Sequence, residues 1–228
     1  MQPQLRVELW PVALCGRASD ADLRLLSPAE TARARRFRQP ADAADFVVVR
    51  AELRRRLGSI LGRPPEATPL LDPAGRRPEL GFLPQDLPGN GVLSFNVSHT
   101  DGLALIAVCR GARVGVDVER LVPLDDDVTR MILSRREHDE WARLRKPQRT
   151  RVVLRAWVRK EAVLKGLGVG LARDLATLDV PLAATVANAA VEGVAPEWRL
   201  FSVDVGSRWE AALAVEAGSR AVDLHLHP

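Results

Sequence analysis

The hydrophobic and polar positions of this chain fall into blocks that are written twice, in the same order. LLSPAETARARRFR (25–38) and ILSRREHDEWARLR (132–145) share Leu-Ser, a Glu three residues after the Ser, and a basic–apolar–basic triplet, at an offset of 107. VVVRAELRRRLG (47–58) and VVLRAWVRKEAV (152–163) repeat at 105, which sets Glu161 against Arg56. FNVSHTDGLALIAV (95–108) and FSVDVGSRWEAALAV (201–215) repeat at 106 to 107. Three ordered blocks at nearly one offset predict a duplicated unit.

Each copy predicts the same elements. Ser27 with Glu30 and Ser134 with Glu137 form capping boxes that open helices, Pro28 suiting a first turn. The VVxRA segments carry apolar residues at helical spacing and predict the main helices. The FNVS/GLALIAV and FSVD/WEAALAV runs predict hairpins with Gly in the turn, and RVELW (6–10) and VGVDVE (114–119) predict a leading strand for each copy. The fold expected is α+β, a pseudo-two-fold duplication of a small sheet plus helix, with halves 1–110 and 111–228 joined near Gly111. The Pro- and Gly-rich stretch 62–91 reads as a surface excursion, and the seam between two such halves is a natural place for a ligand.

Composition narrows the setting. A chain of 228 residues, 46% apolar, buries a core without staples. It has no apolar run of the roughly 18 residues a membrane span needs and no basic-then-apolar leader, so a cytoplasmic monomer is expected. Cys15 and Cys109 have no metal-ligand spacing and read as reduced, structural thiols. A net charge of +4 and a pI near 9.8 favour anionic partners. Of 33 basic residues only Lys146, Lys160 and Lys165 are lysine, and two of these stand five apart. A compact ammonium in that segment is a hint of chemistry, against chance placement.

Three segments carry that chemistry. RVGVDVER alternates, with Val114, Val116 and Val118 on one face and Gly115, Asp117 and Glu119 on the other. Two carboxylates side by side repel unless a cation lies between them, and a magnesium ion suits such a pair, with Gly115 leaving room for a bulky anion; the alternative is the polar face of an edge strand. In RAWVRKEAVLKGLGVGL, Trp157, Glu161 and Lys165 share a helical face, and Gly166, Gly168 and Gly170 end the helix; the alternative is a surface Glu–Lys pair. In SFNVSHT, Ser98 and His99 offer a hydroxyl and an imidazole to an anionic ligand, or a structural histidine.

Together these segments resemble the 4′-phosphopantetheinyl transferases of the surfactin-synthetase-activating type, through RRP (76–78), FNVSHT (95–100), VGVDVER (114–120), the Ser134–Glu137 helix start and WVRKEAVLKGLGVGL (157–171). The resemblance implies transfer of phosphopantetheine from coenzyme A to a serine of an acyl or peptidyl carrier protein, with coenzyme A between the halves. It implies that Asp117, Glu119 and Glu161 bind Mg2+ at the coenzyme A pyrophosphate and that Glu161 is the base. Lys160 and Lys165 would neutralise the pyrophosphate as 3′,5′-ADP leaves, and Arg33, Arg77, Ser98 and His99 would hold the ribose 3′-phosphate or adenine end. Asp45 and Glu30 stand where the family carries basic residues, which leaves two alternatives: Arg36, Arg38 or Arg50 compensates, or the preference for coenzyme A over its dephospho form is weaker.

Two other readings are weaker. A nucleic-acid binder would pair its basic run, Arg33 to Arg38, with stacking aromatics, but the aromatic fraction is 4% and there is no Tyr. A metal-dependent phosphodiesterase would need further carboxylates, and Asp125, Asp126 and Asp127 read as a loop after Pro123. A coenzyme A-binding protein without turnover is the remaining alternative. LHLHP reads as a terminal strand rather than a metal motif.

Overall fold

The computed structural model describes residues 4–71, 78–81, 92–169, 174–183, 185–191 and 194–228. The chain forms two compact units. The first gathers Met1–Pro11, Leu93–Asp101 and Leu105–Pro228, and the second Val12–Val92 with Gly102–Ala104.

The elements arrive in the predicted order. Strand β1 (Leu5–Ala13) leads into three helices, α1 (Asp20–Leu23), α2 (Pro28–Ala34) and α3 (Pro40–Leu61). The described residues of the 62–91 excursion hold a short 3₁₀ turn, Pro65–Ala67, and a two-residue bridge, β2 (Leu70–Leu71) with β3 (Glu79–Leu80). Then come β4 (Leu93–Thr100), β5 (Leu103–Arg110) and β6 (Val114–Arg120), followed by α4 (Asp126–Ile132), α5 (Arg135–Ala142) and α6 (Lys146–Leu167). Four strands close the chain: β7 (Val186–Val191), β8 (Val194–Val203), β9 (Trp209–Val215) and β10 (Val222–Leu226). Among the described residues no helix is long and apolar enough to cross a membrane.

Two four-stranded sheets have the orders β10-β1-β5-β4 and β6-β9-β8-β7. Within them the order β1-β5-β4 repeats as β6-β9-β8, the pattern expected of two copies of one unit. The turns are the glycine turns expected: Gly102, between β4 and β5, has φ 82°, and Gly206, between β8 and β9, has φ 94°. The terminal LHLHP run forms β10, which pairs in parallel with β1 from Leu5↔Val222 to Leu9↔Leu226.

The two long helices are counterparts. Each has 22 residues, a Pro in its first turn and a left-handed glycine cap, Gly62 or Gly168. Both predicted capping boxes are present, at Ser27–Glu30 and Ser134–Glu137. Each boxed glutamate is buried and takes a cation from the following long helix. Arg54 Nε donates to Glu30 Oε2 at 2.8 Å in the second unit, and Lys160 Nζ to Glu137 Oε2 at 2.6 Å in the first. Those pairs and the caps fix the offset of the long helices at 106, so Arg55, not Arg56, is the counterpart of Glu161. The block alignment slipped by one because the Val-rich run and the Arg-rich run that follows it match their neighbours about as well.

Helix α6 lies across β6 and β9. Val153, Val158 and Val163 are poor helix formers, losing about 0.5 kcal/mol each in propensity. All three are almost fully buried, worth roughly 1.5–3 kcal/mol apiece, so packing decides the matter. Their core includes Ile132, Leu178, Trp198, Leu200 and Ala212.

One expectation fails outright. Asp125 to Asp127 do not form a loop: Asp125 Oδ1 accepts from Val128 N at 2.8 Å and caps α4, whose first turn holds Asp126 and Asp127. Acidic residues before an apolar turn are a helix start, favoured by the helix dipole, and the Pro at 123 only delays it. Both cysteines are free thiols, Cys15 exposed and Cys109 buried, where burial pushes its pKa up to about 11.

Candidate functional site

The site is built where α6 crosses β6, inside the first unit. Alternation in β6 turns Gly115, Asp117 and Glu119 towards the helix. Gly115 permits the crossing. A Cβ there would fall on the carbonyl oxygen of Ala162, well inside van der Waals contact, and 2.5 Å from the amide nitrogen of Gly166. The expectation that Gly115 opens space for an anion is therefore corrected: its missing side chain is filled by helix backbone. Gly166 likewise belongs to the helix rather than to the loop after it, and a Cβ there would stand 2.5 Å from the Trp198 ring. Gly170 lies outside the described residues.

Gly115→Ala should thus push α6 off the sheet, with a cost of about 1–3 kcal/mol or more because the obstructing atoms are backbone. The expected result is a fall in Tm of several degrees on thermal unfolding, and an unchanged Tm would mean the contact yields freely.

The close crossing brings together five predicted residues. Lys165 Nζ donates to Asp117 Oδ1 at 2.6 Å and to Ser98 Oγ at 2.9 Å, and Ser98 Oγ donates to Asp117 Oδ1 at 2.8 Å. Ser98 Oγ also accepts from Val118 N at 3.3 Å. Its single proton and both lone pairs are then in use, inside the protein. Glu161, on the same face of α6 as Lys165, and Glu119 complete the cluster. Burial, then the nearby charge of Asp117, holds the Glu119 and Glu161 carboxyls above their ordinary values. The Trp157 indole stands beside Glu119 and offsets part of that rise, so the i, i+4, i+8 face of α6 is directed at β6.

Two oxygens in this cluster, Asp117 Oδ2 and Glu161 Oε1, are buried with no hydrogen-bond partner among the described residues. Their residues are 2% and 7% exposed. Buried carboxylate oxygens are costly to leave unpaired, and three carboxylates gathered in one cluster, with Asp117 raising the pKa of Glu119 and Glu161, are an unsatisfied demand for positive charge. Lys165 meets part of it. Hard oxygens in that state fit a divalent ion such as magnesium, which takes one or two carboxylates and fills its shell with water and phosphate oxygens. Among the described residues no three His, Cys, Asp or Glu side chains are already gathered as a closed metal cage.

The remaining expected residues stand elsewhere. Lys160 is fully buried and gives its three donors to Glu137 Oε2, Ile132 O at 2.7 Å and Leu175 O at 2.9 Å. It points away from the carboxylates and ties α4, α5 and the turn at Leu175–Thr177 to α6. Its neighbour Glu161, one position on, faces the other way round the helix. His99 follows Ser98 on β4, so alternation turns it to the opposite, exposed face. Arg33 belongs to the second unit, where its guanidinium lies over the Phe46 ring at 5.1 Å, with that of Arg50 at 5.3 Å. Arg77 lies outside the described residues. The two acidic departures have structural uses: Glu30 pairs with Arg54, and Asp45 Oδ1 accepts from Gly16 N at 2.8 Å.

Sequence reasoning missed Thr100, whose hydroxyl accepts from Arg120 N at 3.3 Å and stands beside Glu119. The signal was present in the alternation Ser94, Asn96, Ser98, Thr100, an unusual polar face for a strand so buried.

The family model described as the 4′-phosphopantetheinyl transferase superfamily matches residues 113–214, a span holding Asp117, Glu119, Glu161 and Lys165. The chain is 33% identical over 213 residues to the 4′-phosphopantetheinyl transferase HetI of Nostoc sp., covering 92% of this chain and 87% of that protein. It is 28% identical over 153 residues, 66% of this chain and 60% of the other, to a putative 4′-phosphopantetheinyl transferase of Synechocystis sp.. To a 4′-phosphopantetheinyl transferase of Bacillus subtilis it is 27% identical, over 49% of this chain and 50% of that one.

Proposed function

This chain belongs to the 4′-phosphopantetheinyl transferase superfamily, and on that premise we propose how its residues divide the work of the reaction. The protein transfers the 4′-phosphopantetheine group of coenzyme A to a serine hydroxyl of a carrier protein, releasing 3′,5′-ADP. The carrier serine oxygen bonds to the phosphorus that bears pantetheine, the bridging P–O bond breaks, and the hydroxyl proton must go to a base.

Glu161 is that base. It is buried, its pKa is raised towards the working range, and Oε1 has no internal partner to compete for a proton. Asp117 and Glu119 from β6, with Glu161 from α6, are the residues that would hold a divalent ion. When bound, the ion would supply charge for the pyrophosphate oxygens and help the leaving group depart. Lys165 holds Asp117 in place and keeps its ammonium at the edge of the cluster, 30% exposed, where it faces incoming phosphate. Lys160 is assigned no part in the chemistry. Its three donors serve the fold. The same reading leaves the 3′-phosphate and adenine end to Arg33, Arg77 and His99.

The observation that carries this reading is the pair of orphaned carboxylate oxygens beside the Lys165–Asp117–Ser98 triad. The duplication within one chain supports the surfactin-synthetase-activating type, a monomer acting in the cytoplasm on an acyl or peptidyl carrier domain. Incubation of an apo carrier with the protein, coenzyme A and magnesium should raise the carrier mass by one phosphopantetheine, and chelation of the metal should prevent it. Several carriers left unmodified, or full transfer in excess chelator, would overturn the assignment of these residues.

A further inference from the structure

The last strand of one sheet and the first of the other, β4 and β6, are not joined by a backbone ladder. Instead each inward side chain of β4 accepts a β6 amide. Ser94 Oγ takes Val114 N at 3.1 Å, Asn96 Oδ1 takes Val116 N at 3.1 Å, Ser98 Oγ takes Val118 N at 3.3 Å, and Thr100 Oγ1 takes Arg120 N at 3.3 Å. Four rungs in strict i, i+2 register make a polar seam. Its far end is secured by Arg120, whose guanidinium meets the Asp101 carboxylate, and by Trp209 Nε1, which donates to Asp101 O at 3.0 Å.

The rungs differ in what else they touch. Ser94 and Asn96 serve the amides. Ser98 and Thr100 each have a hydroxyl proton left after accepting an amide: Ser98 gives it to Asp117 Oδ1 at 2.8 Å, and the same register sets the Thr100 hydroxyl beside Glu119, whose charged form it favours. A hydroxyl pinned by a backbone donor has little freedom over where its proton points, so it fixes the rotamer of the carboxylate that accepts it.

We propose that Thr100 is a positioning residue of the transferase, aiming Glu119 at the divalent ion as Ser98 aims Asp117. This rests on the reading that Asp117, Glu119 and Glu161 receive that ion. Thr100 touches neither substrate nor ion in this scheme. It acts through Glu119, which also has the Trp157 indole beside it.

The test is Mn2+ binding to the full chain with coenzyme A present, followed by electron paramagnetic resonance, with urea unfolding of each variant alongside. Thr100→Val keeps the shape and removes the hydroxyl, Thr100→Ser restores it, and Ser94→Ala breaks an equivalent rung that aims no carboxylate. Thr100→Val should weaken Mn2+ by about 10- to 100-fold. Thr100→Ser should bind as the parent does, and Ser94→Ala should lose stability to a similar degree while keeping its Mn2+ affinity. Undiminished Mn2+ affinity in Thr100→Val, or equal weakening in Ser94→Ala, overturns the proposal, since the seam would then matter only for folding. Asp117→Asn separates the two levels of argument: Mn2+ affinity indifferent to that change removes the carboxylates as ligands and the role of Thr100 with them.

Discussion

Glu161→Gln should slow phosphopantetheine transfer at least a hundredfold while the protein stays folded. Removing a general base costs about 10²- to 10⁴-fold, and glutamine matches glutamate in shape while lacking its basicity. The residue is also assigned to the ion, so the two losses must be told apart. Transfer measured across a Mn2+ titration does this: a lost ligand is offset by saturating metal, whereas a lost base leaves kcat low at every concentration. Stability should move the opposite way. A carboxyl whose pKa is raised by burial and by Asp117 binds protons more readily folded than unfolded, so its ionisation weakens the fold as pH rises above the ordinary glutamate value. In metal-free buffer at neutral pH, Glu161→Gln should therefore raise Tm. A variant that transfers at the parent rate, or that unfolds earlier in metal-free buffer, would refute this account of the residue.

Lys160→Met carries the second large effect, on stability rather than chemistry. The ammonium is fully buried and burial pushes its pKa down, while Glu137 and two carbonyls supply all its acceptors. Removing it strands the Glu137 carboxylate in the interior, a loss of about 3–5 kcal/mol for a broken buried pair. Urea unfolding should show a loss of unfolding free energy of that size, read as a lower midpoint at unchanged slope. Glu137→Gln combined with Lys160→Met should be more stable than Lys160→Met alone, because the stranded charge is gone and glutamine still accepts the Val180 amide that Glu137 Oε1 now takes at 2.6 Å. A parental midpoint for the single variant would leave Lys160 without the anchoring role.

Much of this was legible in the chain because it depends on local chemistry. Capping boxes at Ser27 and Ser134, glycine turns at 102 and 206, the alternation that sets Asp117 beside Glu119, and the helical face shared by Trp157, Glu161 and Lys165 all need only short-range spacing. What escaped depends on partners far away in sequence. Lys160 and Lys165 look alike in a helix written on paper, yet they point to different neighbours, and only packing reveals that Lys160 meets Glu137. Gly115 looked like open space because the helix that fills it comes some fifty residues later. Ser98 and His99 look like one polar step in the sequence, although a strand sends neighbouring residues to opposite faces. The Ser94–Thr100 alternation was in view but had no reading until β6 supplied the amides.

The closeness of α6 to its sheet has a consequence for anyone seeking a hardier version of this enzyme. Each long helix contains one interior glycine, Gly58 in α3 and Gly166 in α6. Replacing such glycines by alanine ordinarily gains about 0.4–1 kcal/mol by restricting the unfolded chain. Here neither site admits a methyl group. At Gly58 it would stand 2.8 Å from the Arg63 carbonyl oxygen, and at Gly166 2.5 Å from the Trp198 ring. The routine helix-stiffening substitution reverses sign at both, so improvement has to be sought on the outer surface, at side chains such as the exposed Met131.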